Sequence, residues 1–266
     1  MKVDPKPVAP ERYTSEYYEH CCDGYEEFSL THGDGLPARL AFSLQLAGLK
    51  PGMKVLDVGC GRGEVGRQCV QAAATWCGID YAPESLKLAA VVRRNLEDGQ
   101  RLRYWLGRAS AIALPFQAHS FDRVFMLDVV EHLTCTEFST SLGEIRRVLS
   151  PEGQLVIHTA PSLWYYRYGY PLYRLLQGLR RKRLPANPRE RWAYNDVHIN
   201  EQTSLTLGRT LRAHGFRAKV WLTSTQNYAQ EPNAMIRFAM HFVSRVFPFK
   251  LVFADEIMAI GTPCAS

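Results

Sequence analysis

A chain of 266 residues with 46% hydrophobic and 22% charged content can bury one sizeable core with insertions, but hardly two independent domains. Seven cysteines, an odd number with no C-x-x-C pair, argue against a disulfide frame or a zinc ribbon and fit reduced thiols. The formal charge of +6 is concentrated: residues 161–200 carry eight basic side chains against Glu190 and Asp196, so any anion-facing role should lie there.

Residues 1–50 read as a cap. Tyr13, Tyr17, Tyr18 and Tyr25 precede Thr31-His32-Gly33-Asp34-Gly35, and a helix from about Pro37 to Ala47 follows. Val55 to Val58 form a buried strand, and a glycine-rich turn leads into a helix ending near Ala74. Next come a strand over Thr75 to Asp80, a helix from Pro83 to about Leu96, and strands near Arg101 to Leu106 and Phe121 to Leu127. A helix over Phe138 to Val148 and a strand over Gln154 to Thr159 continue the alternation, with last strands near Ala218 to Leu222 and Glu256 to Ile260. This pattern predicts one α/β domain over 1–266, a doubly wound, mostly parallel seven-stranded sheet with lid insertions at 162–197 and 224–253.

The turn Gly59-Cys60-Gly61-Arg62-Gly63 lets backbone approach a nucleotide-like ligand closely. Asp57 stands two residues before it and points a carboxylate into that cradle. A pyrophosphate would be repelled there, and the glycine spacing is not G-x-G-x-x-G, so a nicotinamide-dependent oxidoreductase on a similar sheet is disfavoured. A ligand with an ammonium and a sulfonium suits Asp57, and S-adenosyl-L-methionine has both.

These residues resemble the class I S-adenosylmethionine-dependent methyltransferases. Leu114-Pro115-Phe116, Phe121-Asp122-Arg123-Val124, Asp128-Val129-Val130-Glu131-His132-Leu133 and Arg147-Val148-Leu149-Ser150-Pro151-Glu152-Gly153 are similar to the quinone-biosynthesis, small-molecule branch. The resemblance implies a Rossmann-like methyltransferase fold that binds S-adenosyl-L-methionine and releases S-adenosyl-L-homocysteine. It assigns Asp57, Gly59, Cys60, Gly61 and Gly63 to the cofactor turn, Asp80 with Tyr81 to the ribose, Ser110 with Ala111 to the adenine, and Asp128 with Val129 to the methionine end. Ser110 departs from the family, which often carries Asp there; a neutral hydroxyl holds an exocyclic amine more weakly.

The first insertion holds Trp164, Tyr165, Tyr166, Tyr168, Tyr170 and Tyr173, then the basic run Arg180 to Arg183, then Trp192. It follows the fifth strand's carboxyl end, where ligand crevices open, so Tyr18, Trp164, Tyr165, Tyr168 and His198 are expected to contact the acceptor. In the second insertion Met235, Phe238, Phe242 and Val246 recur at helical spacing, opposite Arg237, His241 and Arg245. That stripe reads as core contact or as a surface resting on anionic membrane or on a lipid-linked acceptor. Nucleic-acid binding is disfavoured, because Asp128-Val129-Val130-Glu131 replaces the Asn/Asp-Pro-Pro-aromatic motif of nucleobase amino methylases.

Displacement at a sulfonium needs no general acid, and a base only for a protonated acceptor; His198 and His132 are the candidates. Asp128, Glu131 and His132 could share one helical face toward a divalent ion, but they serve equally beside the cofactor, and no metal is expected. The reading is a small-molecule methyltransferase acting on a hydroxyl of an anionic or lipid-like metabolite, with a catalytically weak methyltransferase-like scaffold as the alternative. Met1-Lys2-Val3-Asp4-Pro5 lacks the apolar core of a signal peptide, and no run approaches a membrane span. A cytoplasmic chain, peripheral to a membrane if the basic insertion contacts one, is expected.

Overall fold

The computed structural model describes residues 4–191, 194, 196–229 and 231–264. Trp192, part of the aromatic and basic insertion, lies outside the described residues. Three helices open the chain, α1 (Ser15–His20), α2 (Tyr25–Thr31) and α3 (Ala38–Ala47). Then β1 (Lys54–Val58), α4 (Glu64–Gln71), β2 (Thr75–Asp80), α5 (Pro83–Arg94), α6 (Asp98–Arg101) and β3 (Tyr104–Arg108) alternate. They are followed by β4 (Phe121–Leu127), α7 (Cys135–Val148), β5 (Leu149–Thr159), α8 (Tyr170–Leu179) and α9 (Ser204–Ala213). β6 (Phe216–Thr223), α10 (Ala234–Arg245), α11 (Lys250–Phe253) and β7 (Glu256–Pro263) complete it.

The seven strands form one sheet in the order β3-β2-β1-β4-β5-β7-β6. β7 runs antiparallel to both β5 and β6, and the other pairs are parallel. Sequence order reverses between β1 and β4, and a crevice opens there beyond the strands' carboxyl ends. The core follows the two-residue period of buried strands. Leu56, Val58, Val124, Met126, Leu155 and Ile157 face Phe138, Leu142 and Ile145 of α7 with Leu207 and Leu211 of α9. Val55, Phe125, Leu127 and Val156 face the opposite layer, where Leu40 of α3, Val65 and Val70 of α4 and Val92 of α5 cover them. Burying a Leu or Ile side chain fully contributes roughly 1.5–3 kcal/mol, so both layers are needed to hold the sheet.

Several boundaries differ from the sequence expectation. α4 stops at Gln71 because Ala73 takes a left-handed conformation, φ 59°, which no helix continues through. β3 starts at Tyr104, since Asp98–Arg101 closes a helical turn of its own. The apolar stripe of the second insertion is not core: Met235, Phe238 and Phe242 are exposed on α10. Among the described residues, no helix is long and apolar enough to cross a membrane.

Candidate active site

The crevice between β1 and β4 holds a cavity of about 380 Å³, within the size range of small-molecule sites. Its floor is the turn after β1. Gly61 has φ +53° and open space where a Cβ would stand, so its backbone faces the cavity directly. At Gly59, φ +73°, a Cβ would sit 2.6 Å from Val129 Cγ2, so the turn and the strand-end residue after β4 pack only without a side chain there. Gly63 lies behind the cavity wall as the N-cap of α4.

Two carboxyls close the floor. Asp80 ends β2, and its Oδ2 accepts from the Gly61 N–H at 3.1 Å while Oδ1 accepts from Ala82 N–H at 2.9 Å. Burial raises its pKa, against these donors that hold it down. Asp57, sealed within β1, is pushed up to about 7 by burial, with Asp80 and Glu64 adding like charge. The hollow is therefore less negative than sequence spacing implies, because burial partly neutralises Asp57 near pH 7. Cys60, Tyr81, Ser110, Ala111, Asp128 and Val129 also line the cavity.

Asp128 is already occupied. Arg39 of α3 donates Nε–H to its Oδ2 at 2.7 Å, and its Oδ1 lies in a short contact with His158 Nδ1. Burial alone would deprotonate His158, but Asp128 and Glu256 raise it to about 10. Burial likewise opposes the Asp128 charge, and Arg39 and His158 overcome it and hold its pKa far down. Asp128 takes a left-handed backbone, φ 58°, at the end of β4, an uncommon conformation for a non-glycine residue.

The cavity brings the two candidate bases together. The His132 and His198 rings meet edge to face with centroids 4.9 Å apart, though 66 residues separate them in sequence. The connection is backbone: Ile199 and Asn200 N–H groups donate to the Glu131 carbonyl at 2.8 and 3.0 Å. His132 Nδ1 stands 3.1 Å from the Val197 carbonyl, which accepts only from a protonated nitrogen, leaving Nε2 bare. Burial, then His198, lower His132 to about 3, and burial lowers His198 as well, so both rings are neutral near pH 7. Glu131, His132 and His198 offer donor atoms within 4.8 Å of one another, which could hold a divalent ion. Glu131 itself accepts from Thr159 Oγ1 at 2.7 Å and from Ala160 N–H at 3.4 Å, and burial raises its pKa.

The cap forms the roof. Tyr13, Tyr17 and Tyr18 are buried over the cavity, and Tyr13 packs against His132. Arg12 closes the roof on the lid loop by pairing with both oxygens of Asp196 at 2.7 and 2.9 Å. Of the expected acceptor residues, Tyr18 and His198 line the cavity, whereas Trp164, Tyr165 and Tyr168 do not. Trp164 packs against the core, Tyr165 meets Tyr170 edge to face, and Tyr168 is exposed. No member of the basic run Arg180 to Arg183 lines the cavity; among the described residues its lining arginines are Arg39 and Arg62. Arg62 is itself bound to Glu64 at 2.6 Å. Tyr13 and Tyr17 belong to the cap expected from sequence, whereas Arg39 and Glu256 carry no sequence signal for the site. No local motif marks them, since their partners lie tens of residues away.

A glycine turn and paired acids at a topological switch point define the class of nucleotide-cofactor α/β enzymes in which a cationic donor, not a pyrophosphate, is the natural ligand. Residues 56–157 match the family described as a methyltransferase domain. This segment is therefore similar to a methyltransferase domain and to the corresponding part of proteins named ubiquinone biosynthesis O-methyltransferases. The chain is 37% identical over 111 residues to a ubiquinone biosynthesis O-methyltransferase of Bordetella avium (strain 197N), covering 42% of this chain and 44% of that protein. It is 38% identical over 134 residues to the same-named protein of Leptothrix cholodnii, covering 50% and 54%. The chain thus spans about half the length of these curated relatives. A solved geranyl diphosphate methyltransferase in complex with SAM superposes with a TM-score of 0.60 at 16% identity, covering 91% of this chain and 92% of that one, a likeness of fold.

Proposed function

We propose that this chain is a cytoplasmic enzyme that transfers a methyl group from S-adenosyl-L-methionine to a hydroxyl of an anionic or lipid-like small molecule. The observation that carries the reading is that His132 and His198 meet edge to face and line the same cavity as the glycine turn, Asp57 and Asp80. The cavity fits the donor: Gly61 leaves open space where a side chain would stand, and Asp57, Asp80 and Ser110 line the same cavity. We read 1–266 as one domain in which 1–50 caps the site.

In this reading Asp80 accepts from the ribose hydroxyls, Ser110 and Ala111 border the adenine, and Asp57 faces the ammonium. Arg39 presents its remaining guanidinium N–H groups to the carboxylate of the methionine end. When bound, the donor supplies a methyl on a sulfonium whose departure as a neutral thioether needs no protonation. The chain's work is then orientation and proton removal. Holding acceptor and methyl at near-attack distance is worth up to about 7–11 kcal/mol. His198, neutral and anchored through the Ile199 and Asn200 backbone, takes the acceptor's proton on its imidazole. His132, bonded to Val197, stands against the His198 ring and fixes its plane. The Tyr13, Tyr17 and Tyr18 roof excludes water from the transfer.

The test is a labelled-donor screen: cell extracts with isotopic methyl donor, with and without the protein, read for newly labelled small molecules. Label in an acidic or lipid-extractable hydroxyl product is the expected result. Donor binding by calorimetry with no labelled product under any extract would favour a scaffold instead.

A further inference from the structure

An amphipathic helix of a folded domain turns its apolar stripe inward. Two helices here do the reverse. On α8, Leu172, Leu175, Leu176 and Leu179 follow the i, i+3, i+4, i+7 spacing, and all four face solvent, Leu179 at 77% exposure. The side turned to the protein carries Gln177, only 5% exposed. On α10, Met235, Phe238 and Phe242 point outward, with Phe238 71% exposed, while Ser244 is 1% exposed. Arg237 and Arg245 fold back onto the carbonyls of Glu231, Ser224 and Gln226.

The two helices belong to different insertions, yet they are tied at both ends. Arg180, the C-cap of α8, pairs with Glu231 at 2.7 Å, two residues ahead of Asn233, the N-cap of α10. At the other end Gly169 lies against the Val252 backbone of α11, which follows α10. α8 and α10 therefore run in opposite senses, each with its apolar stripe exposed to solvent.

We propose that this pair of helices rests on an anionic phospholipid bilayer, with the leucines of α8 and the aromatics of α10 in the interface and neighbouring basic groups on the headgroups. Charge selects this occupant. Residues 162–187 and 232–254 contain no Asp or Glu, while Arg174, Arg181, Lys182, Arg183 and Lys250 lie within them. A second copy docked face to face would set these cations against each other; an anionic lipid surface complements them. A groove lined by Arg174, Leu175, Leu179, Lys182 and Arg183 joins basic heads to apolar surface, the pairing a phospholipid presents. Because no described helix can cross a bilayer, the contact is peripheral. The proposal stands apart from methyl transfer, since it is read without donor or acceptor.

The experiment is sedimentation of the full chain with phosphatidylcholine vesicles and with equimolar phosphatidylcholine–phosphatidylglycerol vesicles, across salt. Binding should require phosphatidylglycerol and fall as salt rises. Each basic group near such a surface contributes roughly fivefold in affinity, so Arg181→Ser/Lys182→Ser/Arg183→Ser together should weaken binding on the order of a hundredfold. Leu175→Glu/Phe238→Glu, both at exposed positions, should weaken it at least about tenfold through lost apolar burial, with melting temperature and donor-product binding unchanged. If that pair melts early, the basic triple variant probes the same surface. No pelleting with anionic vesicles, or equal pelleting of wild type and both variants, overturns the proposal. So does a dimer in sedimentation velocity that Leu175→Glu/Phe238→Glu dissociates, which would show that a second copy covers these helices.

Discussion

Asp57 and Asp80 lie on adjacent strands, yet their environments separate their roles. Asp80 is satisfied by Gly61 and Ala82 N–H donors, whereas Asp57 is buried with its pKa near 7. A cation that must pair with Asp57 therefore binds best once that carboxyl ionises. The donor's Kd should rise as pH falls below about 7, by at most tenfold per unit, and calorimetry from pH 8 to 5.5 reads it. A flat profile would remove Asp57 from the ammonium. Asp80→Ala deletes an acceptor for two hydroxyls, each charge-assisted bond being worth about 1.5–3 kcal/mol, so donor affinity should drop at least about tenfold. His198→Ala should lower kcat by roughly 10²–10⁴ with donor Kd unchanged. Because burial places His198 below its ordinary 6.5, activity should persist to lower pH than an exposed histidine would permit and fall as that ring protonates.

At the scale of elements, the histidine pair depends on one short turn and the helix behind it. Thr134 caps α7 with a full capping box: its Oγ1 accepts from Glu137 N–H at 3.0 Å, and Glu137 accepts from Thr134 N–H at 2.9 Å. The cap fixes where α7 starts, three residues after His132, and so where the Glu131 carbonyl meets the His198 loop. Thr134→Ala should cost about 1 kcal/mol, a melting shift of roughly 2–4 °C for a chain of this size. Much of the element pattern was legible beforehand. β2 and β4 begin and end at the predicted residues, because their β-branched and aromatic runs stop at an acid, Asp80 closing β2 and Asp128 following β4. Insertions were legible as composition but not as placement. Tyr165 and Tyr168 carry the residue types of an acceptor wall, yet the π-helical turn Tyr165–Gly169 swings α8 away from the crevice.

Over the whole molecule, the cap and sheet are joined by charge across 89 residues. Arg39 bonds Asp128, Asp128 contacts His158, and His158 Nε2 stands 3.7 Å from Glu256 on β7. Breaking a fully buried pair by removing one partner typically costs about 3–5 kcal/mol, and the half-buried Arg39–Asp128 pair should cost less. Arg39→Ala should therefore lower stability more than removal of an exposed arginine does, and Asp128→Asn on that background should add less than it does alone. Urea melts of the two single variants and the double variant measure this coupling; simple additivity would mean that the chain of charges is incidental.

What this protein's sequence determined by itself is local: strand and helix periodicity, the glycine turn with Asp57 and Asp80, and the segment that holds the excess charge. Each is encoded within a few residues of chain, where backbone sterics and hydrophobic period act directly. Tertiary structure alone decided that His132 and His198 meet, that Arg39 neutralises Asp128, that burial lifts Asp57 toward neutrality, and that the apolar stripes of α8 and α10 face outward. These outcomes depend on dielectric and on partners brought from distant segments, and neither exists until the chain has packed.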